Sequence, residues 1–346
     1  MPDPTTAVVL LNLGGPDSPE AVEPFLYNIF SDPDVIQLPL GFLWQKRFAR
    51  MVSSSRAEES RANYAKIGGR SPILERTLLQ ASALDAALGG AFRCYIAMRA
   101  WKPFTDEAVD RLIADGCTRV VALPLYPHRS RATTLSSLKE LRSVLRAKAP
   151  QLPLHEICCY PTEPGLLRAW ADRIEEKRAE IPEGRREKAH VLFSAHGLPR
   201  KMIDKGDPYL AHVEATVAGV MKLLPAGLAH SLAFQSRATK VKWLEPATEH
   251  ALAALAKSGV EDALVVPISF LTEHVETLFE LDMLIKDQAI AAGLSGYHRV
   301  AAPESAPVLI EALAGLVRSA LEPGALKPCG LLGPKGRCPM LGATGA

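Results

Sequence analysis

The nine residues from Gly116 to Pro124 (G-C-T-R-V-V-A-L-P) match the nine from Gly259 to Pro267 (G-V-E-D-A-L-V-V-P) in pattern: a glycine, a short lead-in, an apolar run and a closing proline. Each follows a stretch, 108–115 and 251–258, whose apolar residues are spaced for one buried helical face. Two further pairs occur in the same order. Val8 to Pro16 lines up with Val191 to Pro199, both apolar runs that stop at a Gly-x-Pro turn. Arg99 after Ala97-Met98 lines up with Arg237 after Phe234-Gln235-Ser236. One such pair could arise in any α/β protein, whereas three in register point to a duplication. Alternating helices and strands imply parallel sheets with right-handed crossovers, so the expected fold is α/β, two similar doubly wound domains. Ligands in such sheets bind beyond the carboxyl ends of the strands, where His196, Arg99, Arg237 and the 272–282 segment fall.

The halves differ in one connection. Val8 and Arg99 are 91 residues apart, and Val191 and Arg237 only 46, so the first half carries 45 extra residues, placed between about Phe25 and Pro72. This insert holds Phe25, Leu26, Tyr27, Ile29, Phe30, Phe42, Leu43, Trp44, Phe48, Met51 and Val52. So short an excursion has little to bury these against. As a lip over a pocket it could cover a flat apolar ligand or rest on a bilayer surface. The organisation expected is a first domain over 1–160 containing the insert, a second over 161–320, and a tail over 321–346.

Composition narrows the function. Of 346 residues 48% are hydrophobic and 23% charged, which is ordinary for a globular protein, and no apolar stretch reaches the length of a membrane span. Forty basic against thirty-eight acidic residues leave a net charge of +2, so no nucleic-acid partner is expected. The start, Met1-Pro2-Asp3-Pro4, lacks signal-peptide character, which favours a cytoplasmic location, where structural disulfides are not expected of the six cysteines.

The chemistry is concentrated in two segments. His196 ends an apolar strand just before Gly197-Leu198-Pro199, a turn that exposes it. A second apolar run, Val265 to Leu271, leads into Thr272-Glu273-His274-Val275-Glu276-Thr277-Leu278-Phe279-Glu280-Leu281-Asp282. Glu273, Glu276 and Glu280 recur at spacings of three and four, which places them on one helical face, with Asp282 following within the next turn. Following an interior strand, some of these acids should point into the site. Carboxylates with imidazole suit a loosely held borderline divalent cation, and an imidazole with its pKa near neutrality suits proton acceptance. Asn12-Leu13-Gly14-Gly15-Pro16 lacks both phosphate-loop spacings, so no nucleotide is expected, and Ser194 has no nucleophile-elbow context.

Several ordered motifs together resemble the ferrochelatase family. They are Leu11 to Pro16, Phe30-Ser31-Asp32-Pro33-Asp34, Ile67-Gly68-Gly69, Ala97-Met98-Arg99, Leu123 to Pro127, the His196 motif with Gly206-Asp207-Pro208-Tyr209, Phe234 to Arg237, and the Glu276 motif. The resemblance runs from about Val8 to Val317 and implies two similar Rossmann-like domains of chelatase type, with a porphyrin cleft between them and a hydrophobic lip. It implies insertion of ferrous iron into protoporphyrin IX. His196 and Glu276 would be the iron-binding and catalytic positions, with His196 accepting pyrrole protons. Glu280 and Asp282 would relay protons or conduct the metal, and His274 would support Glu276. Leu13, Arg99, Ser130 and Trp243 would bind substrate. Peripheral contact with the inner membrane and a homodimer are both compatible with it.

The chain departs from the family pattern at Ala100, Arg70, His128-Arg129 and Ala238-Thr239-Lys240, which bear on substrate orientation more than on reaction type. Rival readings therefore stay open: a chelatase for another porphyrinoid or metal, such as coproporphyrin with iron or a corrin precursor with cobalt, or a porphyrin or haem carrier without turnover. Some members of the family hold a [2Fe-2S] cluster on four cysteines. With Cys94 and Cys117 in or beside core segments, Cys158, Cys159, Cys329 and Cys338 are the candidates here.

Overall fold

The structure, a computed structural model, describes residues 5–36, 38, 41–237 and 241–322. These form two compact units, one within residues 5–160 and 310–322, the other from Pro161 to Leu309.

In the first unit, β1 (Thr6–Asn12) is buried along its whole length, as its unbroken apolar run requires of a central parallel strand. Helices α1 (Val22–Ser31), α2 (Gly41–Ala65) and α3 (Ile73–Leu88) precede β2 (Phe92–Met98). They are followed by α4 (Thr105–Ala114), β3 (Arg119–Pro124), a π-helical turn at Arg131–Leu135, α5 (Ser136–Lys148) and β4 (Leu154–Glu156). The strands form one parallel sheet in the order β2-β1-β3-β4. Side chains alternate across a strand, so Ala7, Val9 and Leu11 share a face and pack with Val109 and Leu112 of α4 and Leu138, Leu141 and Leu145 of α5.

The second unit repeats this plan. It runs α6 (Pro164–Ala179), α7 (Glu183–Arg186), β5 (His190–His196), α8 (Arg200–Asp204), α9 (Tyr209–Met221), β6 (His230–Gln235), α10 (Thr248–Lys257) and β7 (Asp262–Val266). A π-helix, Glu276–Ile285, then leads directly into α11 (Lys286–Ala291) and β8 (Gly296–Arg299). The parallel sheet has the order β6-β5-β7-β8, the same as the first with each strand number raised by four. The duplication read from three sequence pairs is therefore a duplication of topology. The last helix, α12 (Pro307–Ser319), groups from Ile310 onward with the first unit, where Arg318 Nη2 donates to the Ala87 carbonyl at 2.6 Å.

The extra residues of the first half are helical. The α1–α2 hairpin stands where the second unit has only the five-residue α8 before its crossover helix. α1 buries Val22, Phe25 and Phe30, and Gln45 Nε2 on α2 donates to the Phe30 carbonyl at 2.8 Å. Trp44 and Met51 of α2 remain exposed.

Candidate active site

His196 is the last residue of β5, paired with Gln235 of β6. Side chains take both of its backbone groups: the amide donates to Ser269 Oγ at 2.9 Å, and its carbonyl accepts from Tyr209 Oη at 2.9 Å. The chain leaves the sheet at Gly197, whose amide donates to the Gln235 carbonyl at 2.8 Å. A Cβ there would lie 2.7 Å from that oxygen, so only glycine lets β5 and β6 stay this close beside the histidine.

His196 Nδ1 lies 2.7 Å from Glu276 Oε2, the first residue of the π-helix. That oxygen also accepts from Ser236 Oγ at 2.9 Å. Ser236 reaches the second acid as well, its hydroxyl 2.5 Å from Glu280 Oε2 and its amide donating to Glu280 Oε1 at 2.8 Å. It does so with φ at +64°, a left-handed conformation uncommon for a side-chain-bearing residue and a frequent mark of functional sites. Gln235 Nε2 donates to the Glu276 carbonyl at 3.0 Å, and Gln235 Oε1 accepts from the buried Ser194 hydroxyl at 2.7 Å. His274 Nδ1 accepts from the Glu276 amide at 3.2 Å, and Phe270 packs edge-on against the His274 ring at 4.4 Å. His196, His274, Glu276 and Glu280 thus come together in the second unit, where the sequence groups them.

The charges are set by this packing. Burial alone would raise the Glu276 carboxyl, but the charge and hydrogen bond of His196, with His274 and Ser236, hold it down to about 2. Burial lowers His196, and the charge and hydrogen bond of Glu276, reinforced by Glu280, more than offset that and leave the imidazole above its ordinary value. Burial and the neighbouring Glu276 charge push Glu280 up, and burial pushes His274 down. His196 Nε2 makes no hydrogen bond among the described residues, and the His196 side chain is 36% exposed, so this nitrogen is the open basic position of the pair.

The expected row of acids is corrected in two places. Glu273 precedes the helix, and its buried Oε1 accepts from Arg299 Nη1 at 2.7 Å and from the Ala302 amide at 2.8 Å. Asp282 accepts from Arg299 Nε at 2.5 Å. One guanidinium, Arg299 at the end of β8, engages both acids and draws them away from Glu276 and Glu280. Arg237 pairs with Glu249.

The remaining candidates are placed as follows. Leu13 is half-buried just after β1, its carbonyl accepting from the Ala100 amide at 2.8 Å. The Arg99 guanidinium is engaged by Asp32 at 2.8 Å and by Ser136 at 2.6 Å. Ser130 is buried and caps the π-helical turn, accepting from the Thr133 amide at 3.2 Å. These three belong to the first unit. Trp243, in the second, is half-buried and packs beside Gly197. Cys158 and Cys159 are half-buried with their sulfurs 3.4 Å apart, while Cys329 and Cys338 lie outside the described residues. Of the departures, Ala100 is buried, Arg70 is exposed and 4.0 Å from Glu75, and 238–240 are outside the described residues. Sequence reasoning did not single out Ser236, Ser269, Tyr209 or Arg299. Ser236 and Tyr209 stood inside quoted motifs, and that was the only available signal.

Two matching parallel sheets, the second ending in a histidine, two glutamates and a bridging serine, define a protein of the chelatase architectural class. SirB from Bacillus subtilis, in a structure with Fe3+, has the same fold at a TM-score of 0.56 and 12% identity, over 91% of this chain and 95% of that one. The Ferrochelatase family model matches residues 5–321. Ferrochelatase from Geotalea uraniireducens (strain Rf4) is 46% identical over 312 residues, covering 90% of this chain and 97% of the relative. Ferrochelatase from Synechocystis sp. (strain ATCC 27184 / PCC 6803 / Kazusa) is 45% identical over 320 residues, covering 91% and 82%. Ferrochelatase from Aquifex aeolicus (strain VF5) is 42% identical over 313 residues, covering 90% and 98%. The chain belongs to the ferrochelatase family.

Proposed function

We propose that this protein catalyses the insertion of ferrous iron into protoporphyrin IX to give protohaem, the terminal step of haem biosynthesis and a lyase reaction. The observation that carries the assignment of residues is the 2.7 Å contact between His196 Nδ1 and Glu276 Oε2. A porphyrin can accept a metal only after its two N–H protons leave. With Nδ1 bound to Glu276, His196 is oriented to take a pyrrole proton at Nε2, and the Glu276 carboxylate stabilises the imidazolium so formed. Glu280, held to the same Ser236, is the next carboxyl for that proton. The iron substrate is assigned to His196 and Glu276, with Nε2 available to the cation only while the imidazole is neutral, before it takes the proton. One imidazole and one carboxylate hold a borderline cation loosely enough to hand it on. Leu13, Arg99, Ser130 and Trp243 are assigned to the substrate, with Arg99 acting while braced by Asp32.

Two further assignments rest on this reading. Trp44 and Met51 of α2 are 52% and 65% exposed, and Lys46, Arg47 and Arg50 lie on the same stretch, with no acid before Glu58. Exposed apolar side chains among cations suit peripheral contact with an anionic bilayer surface. No described helix is long and apolar enough to cross a membrane. The sulfurs of Cys158 and Cys159, 3.4 Å apart, are close to the roughly 3.7 Å that two thiolates span on one tetrahedral ion about 2.3 Å from each. They fit one iron of a [2Fe-2S] cluster, with Cys329 and Cys338 as the other ligands. Such a cluster would supply a redox-sensitive cross-link to the tail.

The deciding experiment is anaerobic incubation of the purified protein with ferrous or zinc ion and protoporphyrin IX. Conversion of the free-base absorption spectrum to that of the metalloporphyrin is expected. Bound porphyrin with an unchanged free-base spectrum would make the protein a carrier, and faster turnover of coproporphyrin or of cobalt would reassign its substrate.

A further inference from the structure

A π-helix is rare and appears mostly as a single-turn bulge within an α-helix, so a π-helix running from Glu276 to Ile285 calls for support from outside itself. Three contacts supply it from the two alternate, same-face residues of β8. Tyr297 Oη donates to the carbonyl of Leu281, in mid-helix, at 2.8 Å. Arg299 Nε donates to Asp282 Oδ1 at 2.5 Å, and Arg299 Nη1 donates to Glu273 Oε1 at 2.7 Å. The guanidinium therefore ties the residue three before the helix to the seventh residue of the helix, across the Glu276–Glu280 segment. Leu281 and Ile285 are buried in the core with Leu192, Ala263 and Val265, and the Tyr297 ring packs against the same cluster. Glu276 and Glu280 are left facing Ser236.

We infer that Tyr297 and Arg299 are positioning residues for the iron-insertion site, which hold this helix in its π register and so keep Glu276 and Glu280 on the same serine. The geometry states what depends on the register. Relaxation from five-residue to four-residue hydrogen bonding would rotate Glu280 relative to Glu276 by roughly a fifth of a turn. That is enough to take one carboxyl off the Ser236 hydroxyl while leaving His196 and its strand untouched. The strand that follows the helix thus selects the helix's winding, and among the described residues neither Tyr297 nor Arg299 hydrogen-bonds to His196, Glu276 or Glu280.

The inference rests on the proposed reaction, so its test includes a measurement that does not need turnover. In Tyr297→Phe, which removes one hydroxyl, and in Asp282→Asn, which weakens one half of the clamp, hydrogen exchange of the 276–285 amides should speed up at least tenfold. The amides of β5 and β6 should keep their parent rates. Turnover should fall about tenfold with the porphyrin KM within twofold of the parent, a kcat effect that a general loss of fold would not give. Arg299→Lys should retain more activity than Arg299→Gln. In a Glu280→Gln background, Tyr297→Phe should cost less than threefold more, because the group it positions is already gone. Unchanged exchange over 276–285 in both mild variants would overturn the inference even if the protein inserts iron. So would a Tyr297→Phe loss that multiplies in full with that of Glu280→Gln. Were no variant nor the parent to turn over, the exchange result alone would still decide the clamp, and the failure would belong to the assigned reaction.

Discussion

His196 Nδ1 and Glu276 Oε2 lie 2.7 Å apart, and each favours the charged form of the other: the imidazole is held above its usual pKa and the carboxyl down at about 2. The His196 contribution to stability is complete below its unfolded value of 6.5 and is lost as pH rises through the raised folded value. The Glu276 contribution is complete above 4.5 and is lost as pH falls toward about 2. Glu276→Gln should therefore cost most stability near about pH 5.5 and less near about pH 8.5, as read by urea unfolding at the two values. With the neutral imidazole as the proposed base, kcat/KM should rise with pH through an apparent pKa above 6.5. A cost that does not vary between the two pH values would mean that the contact is not an ion pair.

The two glutamates on Ser236 should separate by role. Glu276 neutralises the imidazolium, so Glu276→Gln should lower kcat by about a thousandfold or more. Glu280, the proposed next carboxyl for the proton, should cost about tenfold as Glu280→Gln, with porphyrin affinity similar to the parent's. Stopped-flow metal insertion with zinc ion checks both. Equal and mild effects would make both acids structural rather than catalytic.

Much of this was legible in the sequence because the duplication recurs in order. The helix-glycine-strand units at Gly116 and Gly259 locate β3 and β7, and the Gly-x-Pro turns locate the ends of β1 and β5. The positions of His196 and Glu276 were legible because one ends an interior strand and the other follows one. The winding of the Glu276 helix was not: a spacing of four puts Glu276 and Glu280 on one side in either an α- or a π-helix, so residue pattern does not distinguish them. Nor could periodicity show that Glu273 and Asp282 share Arg299, which lies 26 and 17 residues away and meets them only after β8 has joined the sheet. The left-handed Ser236 is a single backbone choice with no compositional trace.

Glu273 reads as one of an acidic row and behaves as an anchor. Its side chain is 9% exposed, faces an Arg299 side chain that is 14% exposed, and is kept ionised by it. Removing Glu273 leaves Arg299 with Asp282 alone and the Ala302 amide without its acceptor, which should cost about 1–3 kcal/mol, less than the about 3–5 kcal/mol of a buried charge left with no partner. Glu273→Ala should therefore destabilise the protein more than Glu280→Ala does, measured by chemical denaturation. A cost below about 1 kcal/mol would mean that water already screens the pair.

Gly197 makes a prediction about geometry. With Cβ only 2.7 Å from the Gln235 carbonyl, Gly197→Ala must push the end of β5 away from β6. His196 ends β5 and Gln235 braces the Glu276 backbone, so the displacement falls on both sides of the 2.7 Å contact. Activity should drop by about a hundredfold, as expected when a catalytic group shifts by about 1 Å, while the two cores stay folded by circular dichroism. Near-parental turnover would show that the strand ends can part without disturbing the pair.

The proposed cluster makes the last prediction. Cys158 and Cys159 present two sulfurs 3.4 Å apart, and the chain holds two further thiols, Cys329 and Cys338, beyond those of Cys94 and Cys117. Four thiolates are what a [2Fe-2S] cluster requires, so protein made with ample iron should be reddish-brown and carry about two irons and two sulfides per chain. Cys338→Ser should bleach the visible bands and lower the unfolding temperature, because metal-thiolate binding energy that depends on folding is lost with the cluster. Cys94→Ser should leave the colour unchanged, since burial pushes that thiol up and keeps it protonated on β2. Colourless, iron-free protein that is stable and active would leave Cys158 and Cys159 as two reduced neighbours and remove the cluster from this chain.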